Sequence, residues 1–597
     1  VIDYGGVGDA FQPAQTISLT SGSQTATLSA PVAVVPGQKI VTATAGTYLV
    51  SAVSGTTVGL ATPASATVSG SHFFFGTDNT TAFNDMFADC LTRPATAVIP
   101  NGRFLITGTI GVPEPGPATI TGTGLTIISG GMTTNPNRLN FTSSGSALVW
   151  GGAAGGTMMQ ISRIVGTRII GGLTFAGQAN WDNGATLTPF GPRAGIGFHL
   201  SQNSTPIAGT GYLTVDDFCF TDIDNGMQFG TNLADNNCDT ALVNRLLFLR
   251  CSQTGVRLKN TQSLAHRFNW IHAISCPQTV LKVEDGGSID IGEVQLSLCG
   301  TGTSDPTVDN YLIDLNSSST GYTTKIGILR WEQASIRIAC TRNSMASLQI
   351  GSIIDGNIAN AGNTDDCMFY QHGGEIQING GILKSFYAAG KRPFWMDNDT
   401  NASTPRLSVR DLSVAHPDDP NTLINLIGNV IADYSFVGLR DLSNNRIPYP
   451  DFHKRLEHGQ VTIGGITPDA TTAIQLDDMN RNQGTVWQYS YGPRVPRGNS
   501  VVEVIVTADR LGSAPTSVFK RRYTIYRGTG NGVISATETI GTDIVTGTDQ
   551  IFSVTINAAP YHTINFQVKG TAATGVTWRA TFRLVAYNLG YQISPDY

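Results

Sequence analysis

Three stretches decide how this chain is read: Arg267-Phe268-Asn269-Trp270-Ile271-His272, Asp290-Ile291-Gly292-Glu293-Val294-Gln295 and Lys325-Ile326-Gly327-Ile328-Leu329-Arg330. Each places an apolar residue before Gly or Asn and brings the next inward apolar residue three positions later. Outward from these, the same frame recurs at Val215, Val243, Ile350, Ile378, Val409 and Phe436, so nine copies follow one another at separations of 23 to 35 residues. That period belongs to solenoids. The residue after position zero is Asp216, Asn244, Asn269, Gly292, Gly327, Gly351 and Asn379 in the first seven copies. These types tolerate positive φ, which a sharp bend is expected to need. A flat strand would keep positions zero, +2 and +4 on one face. Here the phase slips by one, so the strand turns a corner and both arms point inward. The predicted fold is all-β, a parallel β-helix.

Composition agrees. Of 597 residues, 37 are Lys or Arg and 43 Asp or Glu, so 13% is charged, against about 25% in ordinary globular domains. There are 68 glycines, and the hydrophobic share of 40% excludes a mostly disordered chain. The net charge of −6 argues against nucleic acid as the main partner. No apolar run approaches the ~18 residues of a membrane span. Cysteines 90, 219, 238, 251, 276, 299, 340 and 367 show no zinc spacing. Cys251, Cys276 and Cys299 share position +8, with Ile223 and Ala334 in neighbouring coils. A buried stack of free thiols is the favoured reading over disulfides or metal. No EF-hand spacing, GxSxG, HExxH or phosphate loop occurs in a suitable setting, so no metal or cofactor is expected.

The predicted domains are an opening segment (1–95) holding an inserted β-barrel (12–72) and a capping helix (78–91), a β-helix (96–445) and a C-terminal β-sandwich (446–597), serving trimerisation or carbohydrate binding. Period-two alternation in Thr16-Ile17-Ser18-Leu19-Thr20 and Lys39-Ile40-Val41-Thr42 marks the barrel. Phe83, Met86, Phe87, Cys90 and Leu91 mark one helix face, with Asp78 as its cap. Residues 441–460 read as a linker. Val1-Ile2-Asp3-Tyr4 is polar and turn-like rather than a leader, and the missing initiator Met predicts an attachment segment ahead of it.

Asp3-Tyr4-Gly5-Gly6-Val7-Gly8-Asp9, rejoined at Thr77-Asp78-Asn79-Thr80-Thr81-Ala82-Phe83, resembles the DYGAxGDG…DDTxAF opening of pectate-lyase-like right-handed parallel β-helices. Asn79 stands where that family often has a second Asp, and Ala10 where it has Gly. Ala97-Val98-Ile99-Pro100-Asn101-Gly102-Arg103-Phe104 resembles the family's vyiPxGxY strand. The barrel insertion and Val576-Thr577-Trp578-Arg579-Ala580 are similar to bacteriophage tailspike depolymerases of the capsule-degrading kind. The resemblance implies a homotrimer on the virion tail, joined to the phage baseplate by an N-terminal segment and cutting a host capsular or exopolysaccharide.

The frame also places side chains. Adjacent coils lie about 4.8 Å apart, so matching positions form columns. Outward columns read Arg267, Asp290, Lys325 at −1; Trp270, Glu293, Ile328 at +2; and His272, Gln295, Arg330 at +4. Asp290 and Glu293 straddle the corner, with carboxylates expected ~6–10 Å apart, room for the water of an inverting glycosidase. Glu293 beside Trp270 is the candidate acid, its pKa expected to rise in that apolar neighbourhood. Asp290 between two cations is the candidate base, and Glu332 the third carboxylate. Trp270, His272, Arg267, Gln295 and Arg330 are candidate sugar contacts. The same residues read equally as a solvated charge ladder, and Leu247, Leu249, Ile328, Ile354 and Ile382 from the same sheet suit a trimer axis. A rival strip runs through Gln228, Arg257, Lys282, Asp314, Arg337, Tyr370 and Trp395, with Glu284, His372 and Glu375 nearby. An endo-acting glycoside hydrolase is the leading expectation. A polysaccharide lyase using Lys325, His272 or Arg330, or a non-catalytic glycan adhesin, stands beside it.

Overall fold

The structure is a computed structural model that describes residues 1–93, 95–113, 124–132, 145–178, 180–182, 187–189, 191–201, 210–232, 237–300, 311–316, 322–332, 337–342, 346–356, 368–384, 393–396, 405–414, 424–426, 433–437, 440–441, 452–453, 460–467, 474–476, 498–510, 517–527, 532–539, 551–556, 564–569 and 576–588. The chain divides into two compact units, Val1–Phe369 and Tyr370–Tyr597.

In the first unit a closed six-stranded antiparallel barrel runs from Thr16–Leu19 to Val68–Gly76. Its alternating residues bury Ile17, Leu19, Ile40, Val50, Val58 and Phe73 at its centre. The helix Thr80–Thr92 follows and buries Ala82, Phe83, Met86, Phe87 and Cys90. Phe83 meets Phe104 edge-on at 5.6 Å. The opening motif is the clamp between barrel, helix and first strands. Asp9 accepts the Thr77 N–H at 2.8 Å and the Gln38 amide at 2.8 Å. Asp78 accepts the Thr80 N–H at the helix start and the Lys39 ammonium at 2.7 Å. Burial alone would raise the Asp78 pKa, but hydrogen bonds from Lys39, Thr107 and Thr80 hold it below its ordinary value. Asn79 is fully buried; its amide donates to the Val7, Thr77 and Leu105 carbonyls while its oxygen accepts the Val7 N–H. Asn suits this post because a carboxylate could not donate any of those bonds.

The parallel β-helix is as the repeat requires. Val215, Val243, Phe268, Ile291, Ile326 and Ile350 pair coil on coil in unbroken register. The column reaches further back, through Ile169 and Ile127 to Ala97. The strand Ile289–Ser297 shows the phase slip directly: Ile289 and Ile291 are buried, then Val294 and Leu296. The bend works differently from expectation, however. None of Asp216, Asn244, Asn269, Gly292, Gly327 and Gly351 has positive φ. The glycines stand there because backbones nearly touch: a β-carbon on Gly327 would lie 2.6 Å from the Gly292 carbonyl oxygen. Left-handed residues fall instead at +7, namely Asp222, Arg250, Ser275 and Leu298, with φ of 57°, 55°, 53° and 54°. Each donates its N–H to the following coil, as Ser275 does to Ser297 at 2.9 Å. That bond, repeated along the stack, offsets the ~1–2 kcal/mol cost of a left-handed non-glycine residue.

A second parallel sheet follows the corner, with Asn225–Phe229, Thr254–Leu258, Thr279–Val283 and Ile313–Leu315 on successive coils. Between the sheets, Phe175, Phe220 and Phe248 stack at 5.0 and 5.3 Å. Cys251, Cys276 and Cys299 are buried and free, as read from the sequence, and hydrogen bonding between neighbouring thiols, together with burial, pushes the Cys276 and Cys299 thiols well above their ordinary value. Ile223 is buried beside this stack, while Ala334 lies outside the described residues. Leu247 and Leu249, expected to project outward, are covered at 8% and 3% exposure.

The second unit continues with parallel pairing of Glu375–Ile378, Arg406–Arg410 and Asp433–Val437, in which Ile378, Val409 and Phe436 again match. Antiparallel sheets of five and three strands follow, the larger built on Gly498–Arg510, Ser517–Arg527 and Val576–Asn588, the make-up of the expected sandwich. Most of the expected linker 441–460 lies outside the described residues.

Candidate functional site

The strands His266–Ile274, Ile289–Ser297 and Thr323–Glu332 carry every candidate catalytic and sugar-contact residue. Register unites Arg267, Asp290 and Lys325; Trp270, Glu293 and Ile328; and His272, Gln295 and Arg330. The −1 residues are exposed and the +2 and +4 residues half-buried, because the bend opens the −1 arm to solvent and folds the others into a shallow angle.

Glu293 is held by Arg330, Oε1 to Nε at 3.5 Å. Asp290 forms no ion pair with Arg267 or Lys325 among the described residues, so its carboxylate is unengaged. The Trp270 and His272 rings lie 5.2 Å apart. His272 Nε2 is 3.3 Å from Ser297 Oγ, and Ser297 pairs in register with Glu332. Burial holds the His272 pKa below its ordinary value, with the charge of Glu332 pulling the other way. Burial thus favours the neutral imidazole over the imidazolium. The +2 column also extends to residues missed in the sequence: Arg245 grips Asp217 through Nε at 2.6 Å and Nη2 at 2.5 Å, one coil before Trp270. Both occupy +2 in the same frame, so that frame could have found them.

The rival strip is partly as expected. Gln228, Arg257, Lys282 and Asp314 align on the second sheet, but Cys340, not Arg337, pairs with Asp314. Arg337 instead lies over the Tyr311 ring at 5.9 Å. The ion-pair partner of Asp314 is Arg342, 2.6 Å away and not foreseen. Its loop length relative to the preceding coil is irregular, which hid the match. Arg257 bonds Glu284 at 2.6 Å. Over these groups opens a cavity of about 470 Å³, lined by Gln253, Thr254, Arg257, Gln278, Thr279, Lys282, Asp314, Asn316 and Arg342. In the second unit Tyr370 packs on His372 at 4.2 Å and on Trp395 at 6.3 Å. Glu375, half-buried, bonds Gln377 there.

No family model and no curated protein matches the chain. Among solved structures it is similar to the tailspike protein gp49 of Acinetobacter baumannii bacteriophage Fri1, a capsular polysaccharide depolymerase, at 11% identity and TM-score 0.30, over 85% of this chain and 83% of that one. It is also similar to the tailspike of Acinetobacter phage vB_ApiP_P1, at 11% identity and TM-score 0.24, over 85% and 86%. A third is tailspike gp61 of Pseudomonas phage phi297, at 9% identity and TM-score 0.28, over 96% and 81%.

Proposed function

We propose that the chain is an endo-acting depolymerase of a bacterial surface polysaccharide, a glycoside hydrolase working on the outer face of the first sheet. One observation carries this reading. On neighbouring coils stand an aromatic plate, a carboxylate in a 3.5 Å ion pair with arginine and, across the corner, a carboxylate with no ion pair among the described residues. Trp270 offers a ring face to a sugar. Glu293 is the proton donor to the leaving oxygen and Asp290 the base that activates water. Arg330 must release Glu293 for this, and an acidic or hydroxyl group of the glycan seated on the guanidinium is what would draw it away. Glu332 beside His272 is the reserve carboxylate.

The neutral state of His272 favours one second reading, a lyase in which that imidazole takes the C5 proton of a uronate while Arg330 neutralises the carboxylate. Incubation with capsular polysaccharides of a strain panel separates the two. New reducing ends without the ultraviolet absorbance of an unsaturated uronate support hydrolysis; that absorbance supports the lyase; a polymer that stays long across the panel, yet binds, supports an adhesin. The resemblance of the opening motif supports a homotrimer on a phage tail, acting at the host surface. Sedimentation of the chain at three times its own mass would bear out the trimer, and a monomer would refute it.

A further inference from the structure

The cavity on the second sheet is built for binding and not for acid–base chemistry. Both carboxylates near it are spent: Glu284 Oε1 accepts Arg257 Nε and Nη2 at 3.0 and 2.6 Å, and Asp314 accepts Arg342 at 2.6 Å. Those ion pairs fix the two guanidinium groups in place. Lys282, one coil from Arg257 and in register with it, is engaged only by a longer ion pair. Its Nζ lies 3.8 Å from Glu284 Oε1, an oxygen already bonded twice, and donates no hydrogen bond among the described residues. Among the described lining residues three are cationic, Arg257, Lys282 and Arg342, and one is acidic, Asp314.

From this we infer that the cavity is a second glycan subsite, separate from the Asp290/Glu293 corner, that takes a carboxylate-bearing sugar with its acid group on Lys282. The inference rests on the proposed reading of the chain as a glycan-acting protein and adds a substrate class to it, an acidic polysaccharide. Its volume of about 470 Å³ falls within the ~300–1,000 Å³ of ligand pockets. The remaining lining supplies amides and hydroxyls, Gln253, Gln278, Asn316 and Thr279 among them, that suit sugar hydroxyls. The described lining is charged and polar, so charge carries the affinity and salt weakens it.

The test is calorimetric titration of the full chain with tetragalacturonate, tetraglucuronate and their neutral methyl esters. At least one acid form binds, its ester binds at least tenfold more weakly, and Lys282→Gln lowers acid-form affinity at least tenfold while Glu293→Gln does not. The inference is overturned if neither acid binds, if ester and acid bind alike, or if Trp270→Ala removes binding that Lys282→Gln leaves intact. Full competition by inorganic sulfate at the same concentration as tetragalacturonate overturns it too, since the cavity would then read charge without sugar. A polymer that is never shortened would sink the proposed function yet leave this result standing.

Discussion

The two outward sheet faces of the first unit share one coil spacing, and Asp217 on the first is gripped by Arg245, but the corner at Asp290 and Glu293 and the cavity on the second sheet use carboxylates in opposite ways. On the second sheet Asp314 and Glu284 are each tied to an arginine at 2.6 Å. At the corner on the first sheet Asp290 has no ion-pair partner among the described residues, and Glu293 shares a looser contact at 3.5 Å with an arginine whose side chain is 38% exposed. Tight pairing immobilises and neutralises; loose pairing keeps a carboxylate exchangeable. The difference teaches that a charged column along a β-helix is not one kind of object, and that function is read from how completely each charge is spent.

The largest effect expected is on chemistry at the first face. Glu293→Gln should lower reducing-end release by about 10²–10⁴-fold with glycan binding retained, and a fully active variant would remove Glu293 from the site. Next comes the strength of pairing on the second. Arg342→Ala strands Asp314, whose side chain is 8% exposed, and should cost about 3 kcal/mol in urea unfolding. The matching Arg330→Ala should cost about 1 kcal/mol or less; equal costs would erase the contrast between the faces.

The wall behind both faces gives a pH test. His266 packs on Phe229 at 4.4 Å, accepts the Ala241 N–H on Nδ1 and meets Ser263 through Nε2. Burial pushes its pKa down to about 3 from 6.5. The unfolded chain therefore binds this proton more readily, so stability is full above pH 6.5 and falls as pH drops toward 3. The loss at pH 5 is about 2 kcal/mol, read as a lower unfolding midpoint; a midpoint unmoved between pH 7 and pH 5 refutes it. At the corner itself Gly327→Ala should cost about 1–2 kcal/mol by crowding the Gly292 carbonyl. A stabilised variant would show that the coils can part there freely.

Much of the architecture was legible because inward residues must recur once per coil. Val243, Phe268 and Ile291 were found that way, and so was the thiol stack. The nine-copy frame begins at Val215 although the predicted β-helix (96–445) takes in the earlier coils; at Ile169, Gly171 and Gly172 precede Leu173, the residue that pairs with Phe218, and this extra residue breaks the spacing. The cause of the glycines was misjudged because close approach between coils and positive φ favour the same residue type. The outward columns at −1, +2 and +4 could be read from the frame. Arg342 and the cavity could not, because they depend on loops of unequal length returning to neighbouring positions.

One property of the ladder bears on how such a molecule can be reshaped. Since Val243, Phe268 and Ile291 hold equivalent stations, excising a whole lap splices like onto like, whereas trimming part of one throws every later rung out of step. Length is thus adjustable only in whole quanta of about one turn, each bringing its own set of outward-facing positions to graft upon.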